Sequence, residues 1–160
     1  MGYTLVSAKL FPPQERDSLT KQTVYWRLVI RHSEVRCIYT GERLSDARLS
    51  LDHFLPWSFV AHDQLWNLIP TLPGINSSKS DHLPAGYYFD QFVRLQHQGL
   101  VTSHRHAGER KWEDYVEPFI TDLRFSDRND LLDADKLKPL PELAKTLGFA
   151  AGWRYRLKTP

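Results

Sequence analysis

The stretch from Leu51 to Pro84 reads LDHFLPWSFVAHDQLWNLIPTLPGINSSKSDHLP, and prolines at 56, 70, 73 and 84 divide it. Proline has no backbone N–H for a helix interior or a central sheet ladder, so only short elements fit between these positions. Residues Arg48 to Phe54 alternate as a strand, with Leu49, Leu51 and His53 on one face, and Pro56 stops it. Residues 57–64 read as a loop and Leu65 to Ile69 as a second short strand closed by Pro70. Pro73-Gly74 then turns the chain into a short helix that begins near Asn76 and ends before Pro84. The order is strand, loop, strand, helix.

The flanks read differently. The N-terminal dozen residues end at Pro12-Pro13, a stiff break, after which Asp17-Ser18 caps a helix to about His32. Leu19, Trp26, Val29 and Ile30 would face the core. The same run also alternates at Val24, Trp26, Leu28 and Ile30, so a strand competes with the favoured helix. Thr40-Gly41 marks a turn. Beyond Pro84, Tyr87 to Gln98 patterns as an amphipathic helix with Tyr88, Phe89, Phe92, Val93 and Leu95 as its apolar side, ended by Gly99. A second helix covers Trp112 to Leu123, bent or begun anew at Pro118, and a third runs from Pro141 to Leu147, ended by Gly148. The expectation is one compact α+β unit. It comprises an N-terminal helical or extended segment (1–36), a core (37–84) and a helical extension packed on that core (85–160).

At 160 residues the chain has room for one domain with a real core, and 41% hydrophobic with 12% aromatic content argues for a folded globule. A net charge of +2 permits nucleic-acid binding without demanding it, because a local basic face is what counts. Arginines at 27, 31, 36, 43, 48, 105 and 110 are scattered, with no long block. The one cysteine, Cys37, excludes an intrachain disulfide and suits a reducing compartment. The opening MGYTLVSAKLFPP lacks the pattern of a secretory leader, and no window has the continuous apolar length of a membrane span. A soluble, cytoplasmic protein with no membrane partner is expected.

Asp52, His53, Asn67 and Asn76 bring an acid, an imidazole and two amides into one short segment. Phosphodiester hydrolysis needs an activated water and stabilisation of a charged transition state. A neutral His53 can accept a proton from water. Asp52 offers a hard oxygen suited to Mg²⁺, with Mn²⁺ as an alternative, and Asn76 can add a neutral oxygen while also capping its helix. Adjacent strand residues point to opposite faces, so Asp52 and His53 can address a phosphate from different sides. Asn67 could hydrogen-bond across the hairpin and hold the loop that orients His53.

Asn67 follows His53 by 14 residues and Asn76 follows Asn67 by 9, within the frame DH-x2-P-x-SF…N…N-x2-KSD-x2-P. This pattern resembles the HNH (ββα-metal) endonucleases, and closely the variant in the HNH domain of CRISPR RNA-guided DNA nucleases. The resemblance spans about residues 37 to 84, roughly a third of the chain. It implies an α+β fold with a small ββα-metal core and flanking α-helices, acting as a metal-dependent DNA endonuclease. By it His53 is the general base, Asp52 and Asn76 hold one divalent ion, Asn67 is the motif's structural asparagine, and Lys79 lies near the phosphate backbone. It leaves three roles open: an autonomous nuclease, a module of an RNA-guided or anti-phage complex whose partners supply targeting, and a catalytically silent nucleic-acid-binding scaffold. Many HNH domains carry a structural zinc on Cys-x2-Cys pairs. Here the first pair reads Cys37-Ile38-Tyr39-Thr40 and no second exists, which argues against that zinc.

Other polar and aromatic residues have plainer readings. Cys37 reads as a small buried hydrophobe, and Trp57 and Trp66 as core residues rather than base-stacking platforms. His104-Arg105-His106 reads as a solvated loop, and His62-Asp63 as loop structure rather than a substrate contact.

Overall fold

The computed structural model describes residues 12–55, 63–75 and 87–142. Within them, α1 spans Pro12–His32, β1 Ser50–His53, β2 Leu68–Thr71, α2 Tyr87–His106 and α3 Glu109–Thr121. A 3₁₀ turn at Leu65–Asn67 precedes β2, and two more, Arg128–Leu132 and Ala134–Leu137, follow α3. The helix expected from Asn76 to Pro84 lies outside the described residues, as do most of the 57–64 loop and most of the helix expected at Pro141–Leu147.

The run ending at His32 is helical, and its burial shows why. Tyr25, Trp26 and Val29 are buried while Val24 is 47% exposed, a 3.6-residue period rather than an alternation. The helix begins at Pro12 instead of at a cap on Asp17-Ser18. Prolines fit its first turn because the N–H groups there have no intrahelical acceptor in any case.

β1 and β2 form a two-stranded antiparallel sheet with Ser50 opposite Thr71 and His53 opposite Leu68. Pro70 lies inside β2 instead of closing it, and Leu65–Asn67 is a 3₁₀ turn instead of strand. The register explains the proline. Phe54 N–H donates to Asn67 O at 2.9 Å, and hydrogen-bonded pairs alternate along an antiparallel ladder. Leu51 and Pro70 therefore face each other at a non-hydrogen-bonded position, where the absent N–H is not missed.

Helix α2 runs through Gly99 to His106, so that glycine does not end it. A Cβ at Gly99 would sit 2.7 Å from Trp26 Cη2 and 3.0 Å from the Tyr25 hydroxyl, so the glycine lets α2 cross α1 at close range. His104-Arg105-His106 accordingly forms the last turn of α2 rather than a loop, with the His106 ring stacked on His32 at 3.8 Å. Helix α3 starts after Gly108 and continues unbroken past Pro118. Pro118 deprives the Asp114 carbonyl of its usual helical donor. Lys21 Nζ approaches that carbonyl at 3.4 Å while pairing with the Asp114 carboxylate at 2.9 Å.

A single cluster of buried apolar residues extends from Tyr25 and Trp26 through Phe54, Trp66 and Ile69 to Phe92, Phe119 and Leu140. Cys37 is part of it, 1% exposed, beside the turn that Thr40 and Gly41 complete. Among the described residues no helix is long and apolar enough to cross a membrane.

Gly99→Ala should destabilise the fold by about 1–3 kcal/mol, because overpacking against Trp26 outweighs the ~1 kcal/mol gain in helix propensity. Urea unfolding of both proteins checks this, and an equal or higher midpoint for Gly99→Ala would contradict the close crossing.

Candidate active site

The site grows from the end of β1. Asp52 is fully buried and His53 half-buried on the opposite face, as the two-residue period of a strand requires. Tyr39 Oη donates to Asp52 Oδ2 at 3.2 Å, and the Tyr39 ring packs edge-on against Tyr88 of α2. Burial, reinforced by the Asp52 carboxylate, holds the Tyr39 hydroxyl far above the usual phenol range.

Beyond His53 the chain is pinned twice. Phe54 stacks on Phe92 with ring centroids 4.1 Å apart, and Leu55 is held on both backbone polar groups by Asn67. Asn67 Oδ1 accepts from Leu55 N–H at 2.8 Å, and Asn67 Nδ2 donates to Leu55 O at 2.9 Å. Asn67 is fully buried, so its amide acts as a backbone substitute that closes the hairpin beside His53. It does so from the 3₁₀ turn, one residue before β2 begins.

That turn and the first residue of β2 are held by side chains of α1, of α2 and of the residue that follows α3. Trp26 Nε1 donates to Leu68 O at 3.0 Å, and Trp66 Nε1 donates to Asp122 Oδ2 at 3.0 Å. Gln96 Nε2 lies 3.2, 3.3 and 3.4 Å from the carbonyls of Leu65, Trp66 and Leu68. Trp66, 0% exposed, is thus a core residue.

Asp63, which the sequence suggests is only loop structure, is a polar partner of His53. His53 Nε2 lies 2.6 Å from Asp63 Oδ1, with the two side chains 15% and 6% exposed. Asp63 is in turn held by Gln22 of α1, whose Nε2 donates to the Asp63 carbonyl at 2.8 Å. A signal for it existed. A base histidine needs a partner for its second ring nitrogen, and Asp63 is the one acidic residue between His53 and Asp81.

Of the five residues singled out in the sequence, Asp52, His53 and Asn67 come together at this hairpin end, while Asn76 and Lys79 lie outside the described residues. Among the described residues no group of three or more His, Cys, Asp or Glu side chains is arranged to hold a metal ion. The donor chemistry of Asp52 with Asn76, one carboxylate and one carboxamide, fits a single hard cation that keeps water as its other ligands.

Residues 37–85 match the family model described as HNH endonuclease, so an HNH-family domain is present over this part of the chain. The short antiparallel hairpin flanked by helices agrees with the general ββα arrangement of that family, and the match supports a nuclease-type function. Comparison with curated proteins and with solved structures gave no match.

Asn67→Ala should cost about 3 kcal/mol, since it strands the buried N–H and C=O of Leu55 without partners. Denaturant unfolding reads this directly, and a loss below about 0.5 kcal/mol would contradict the clamp.

Proposed function

We propose that the chain is a metal-dependent endonuclease that hydrolyses DNA phosphodiester bonds, with His53 as general base and Asp52 and Asn76 as ligands of one Mg²⁺ or Mn²⁺ ion. The observation that carries this reading is a half-buried histidine paired with a carboxylate, next in sequence to a buried aspartate, inside the segment that matches the HNH family. When bound, the ion would supply positive charge to the phosphate and to the departing oxygen.

The protein's own residues do the rest. His53 takes a proton from water as the water oxygen bonds to phosphorus, and the bond from phosphorus to the 3′ oxygen breaks. The 3′ oxygen leaves as a hydroxyl after protonation from solvent, and the phosphate remains on the 5′ side. Asn67 contributes by keeping Phe54 and Leu55 in place, which fixes the end of β1 on which His53 sits. Lys79 is proposed to contact the phosphate backbone. The proposed organisation is the HNH core at 37–84 with the segments 1–36 and 85–160 built around it.

A second reading, a nuclease module aimed by partners such as an RNA-guided complex, is favoured by the surface charge. The exposed Arg27 and Arg31 lie within ion-pair distance of Asp46, and Arg36 and Arg43 within that of Glu34. Paired arginines offer duplex DNA less net charge, and targeting by base pairing in a partner would remove the need for more.

His53→Ala should lower cleavage by at least about 100-fold while leaving DNA binding nearly unchanged. Gel-based nicking together with fluorescence anisotropy on a labelled duplex separates the two effects. Wild-type cleavage rates in His53→Ala would remove this mechanism.

A further inference from the structure

We propose that Asp63 is a positioning residue: its carboxylate holds His53 in the tautomer protonated on Nε2, which assigns proton uptake from water to Nδ1, and Gln22 of α1 holds Asp63 in place. The proposal rests on the reading of His53 as the base and adds the device that sets its geometry.

An ionised carboxylate is only an acceptor, and a neutral imidazole carries one donor and one acceptor nitrogen. With Asp63 Oδ1 2.6 Å from His53 Nε2, the ring proton belongs on Nε2 and the lone pair on Nδ1. Because the Asp63 side chain is 6% exposed and that of His53 15%, water competes little for the bond. A buried aspartate fixes tautomer and ring orientation in the same way in serine-protease triads, where it acts through the histidine and does not touch the substrate.

Asp63 stands two residues before the 3₁₀ turn that Trp26, Gln96 and Asp122 grip, and Gln22 ties its carbonyl to α1 at 2.8 Å. Gln22 lies outside the matched segment 37–85, so the orientation of the base depends on a helix that precedes the HNH-family domain. Asn67 fixes the backbone after His53 while Asp63 fixes its ring.

The test uses the full chain as wild type, Asp63→Asn, Asp63→Glu and Gln22→Leu, read by Mg²⁺-dependent plasmid nicking and by ¹⁵N NMR of the histidine rings, with His53 assigned through His53→Ala. Asp63→Asn is expected to lower kcat about 100-fold with KM little changed. Asp63→Glu should recover part of that loss, and Gln22→Leu should show a smaller drop of the same kind. The NMR spectrum should show His53 as the Nε2–H tautomer in the wild type, with that state lost or mixed in Asp63→Asn. Full kcat in Asp63→Asn, a loss confined to KM, or a wild-type His53 protonated on Nδ1 would each overturn the proposal. Should the wild type fail to nick DNA, the nuclease reading falls and the tautomer alone decides. Nε2–H in the wild type and its loss in Asp63→Asn then sustain the positioning role, and an unchanged tautomer overturns it. If Asp63→Asn does not fold, the wild-type tautomer and the Gln22→Leu kinetics decide by the same criteria.

Discussion

The structure depends on how one buried stretch of backbone finds its hydrogen-bond partners. Residues 65 to 72 are buried throughout, and a two-stranded sheet can pair only one edge of such a segment. Each unpaired carbonyl left inside would cost on the order of 1–3 kcal/mol. Side chains from the helices meet that need. The two amide hydrogens of Gln96 in α2 are shared among the carbonyls of Leu65, Trp66 and Leu68, of which Leu65 also accepts the Leu68 backbone N–H, and Trp26 of α1 donates to Leu68 as well. Helices and hairpin are therefore joined by polar contacts of fixed geometry as well as by apolar packing, which tolerates sliding.

That rigidity reaches the candidate site. Asn67 occupies the gripped turn and extends its order across the hairpin to Phe54 and Leu55. His53 is the next residue back, so its backbone is fixed by a segment that α1, α2 and the residue after α3 hold. Tyr39 and Asp63 then address the two faces of β1 separately, one through Asp52 and the other through His53. An arrangement of this kind suits the proposed chemistry, which needs a base and a metal ligand on different sides of one phosphate.

Much of the fold was legible because local periodicity and turn chemistry carry it. The helix to His32, the antiparallel hairpin, the Thr40-Gly41 turn and the buried Cys37 all follow from patterns a few residues wide. The misplaced boundaries arise where tertiary contact reverses a local rule. Gly99 reads as a helix end, yet it is the one residue small enough for α2 to cross Trp26. Pro70 reads as a strand end, yet its register position needs no N–H. Pro118 reads as a break, yet Lys21 covers part of its deficit from another helix. At the site, Asp52, His53 and Asn67 stood out because spacing within one segment displays them. Asp63 did not, since it sits in a loop that local patterns leave unordered, and only the folded chain brings its carboxylate to the His53 ring. Gln22, 31 residues before His53, has no motif to announce it.

The central claim, a metal-dependent DNA-cleaving activity, meets its most direct test on a supercoiled plasmid with the purified full chain in Mg²⁺, Mn²⁺ or EDTA. One HNH site cuts one strand, so nicked circles should accumulate with either metal and none should form with EDTA. Nicking that persists in EDTA, or its absence with both metals and with candidate partners supplied, would contradict it.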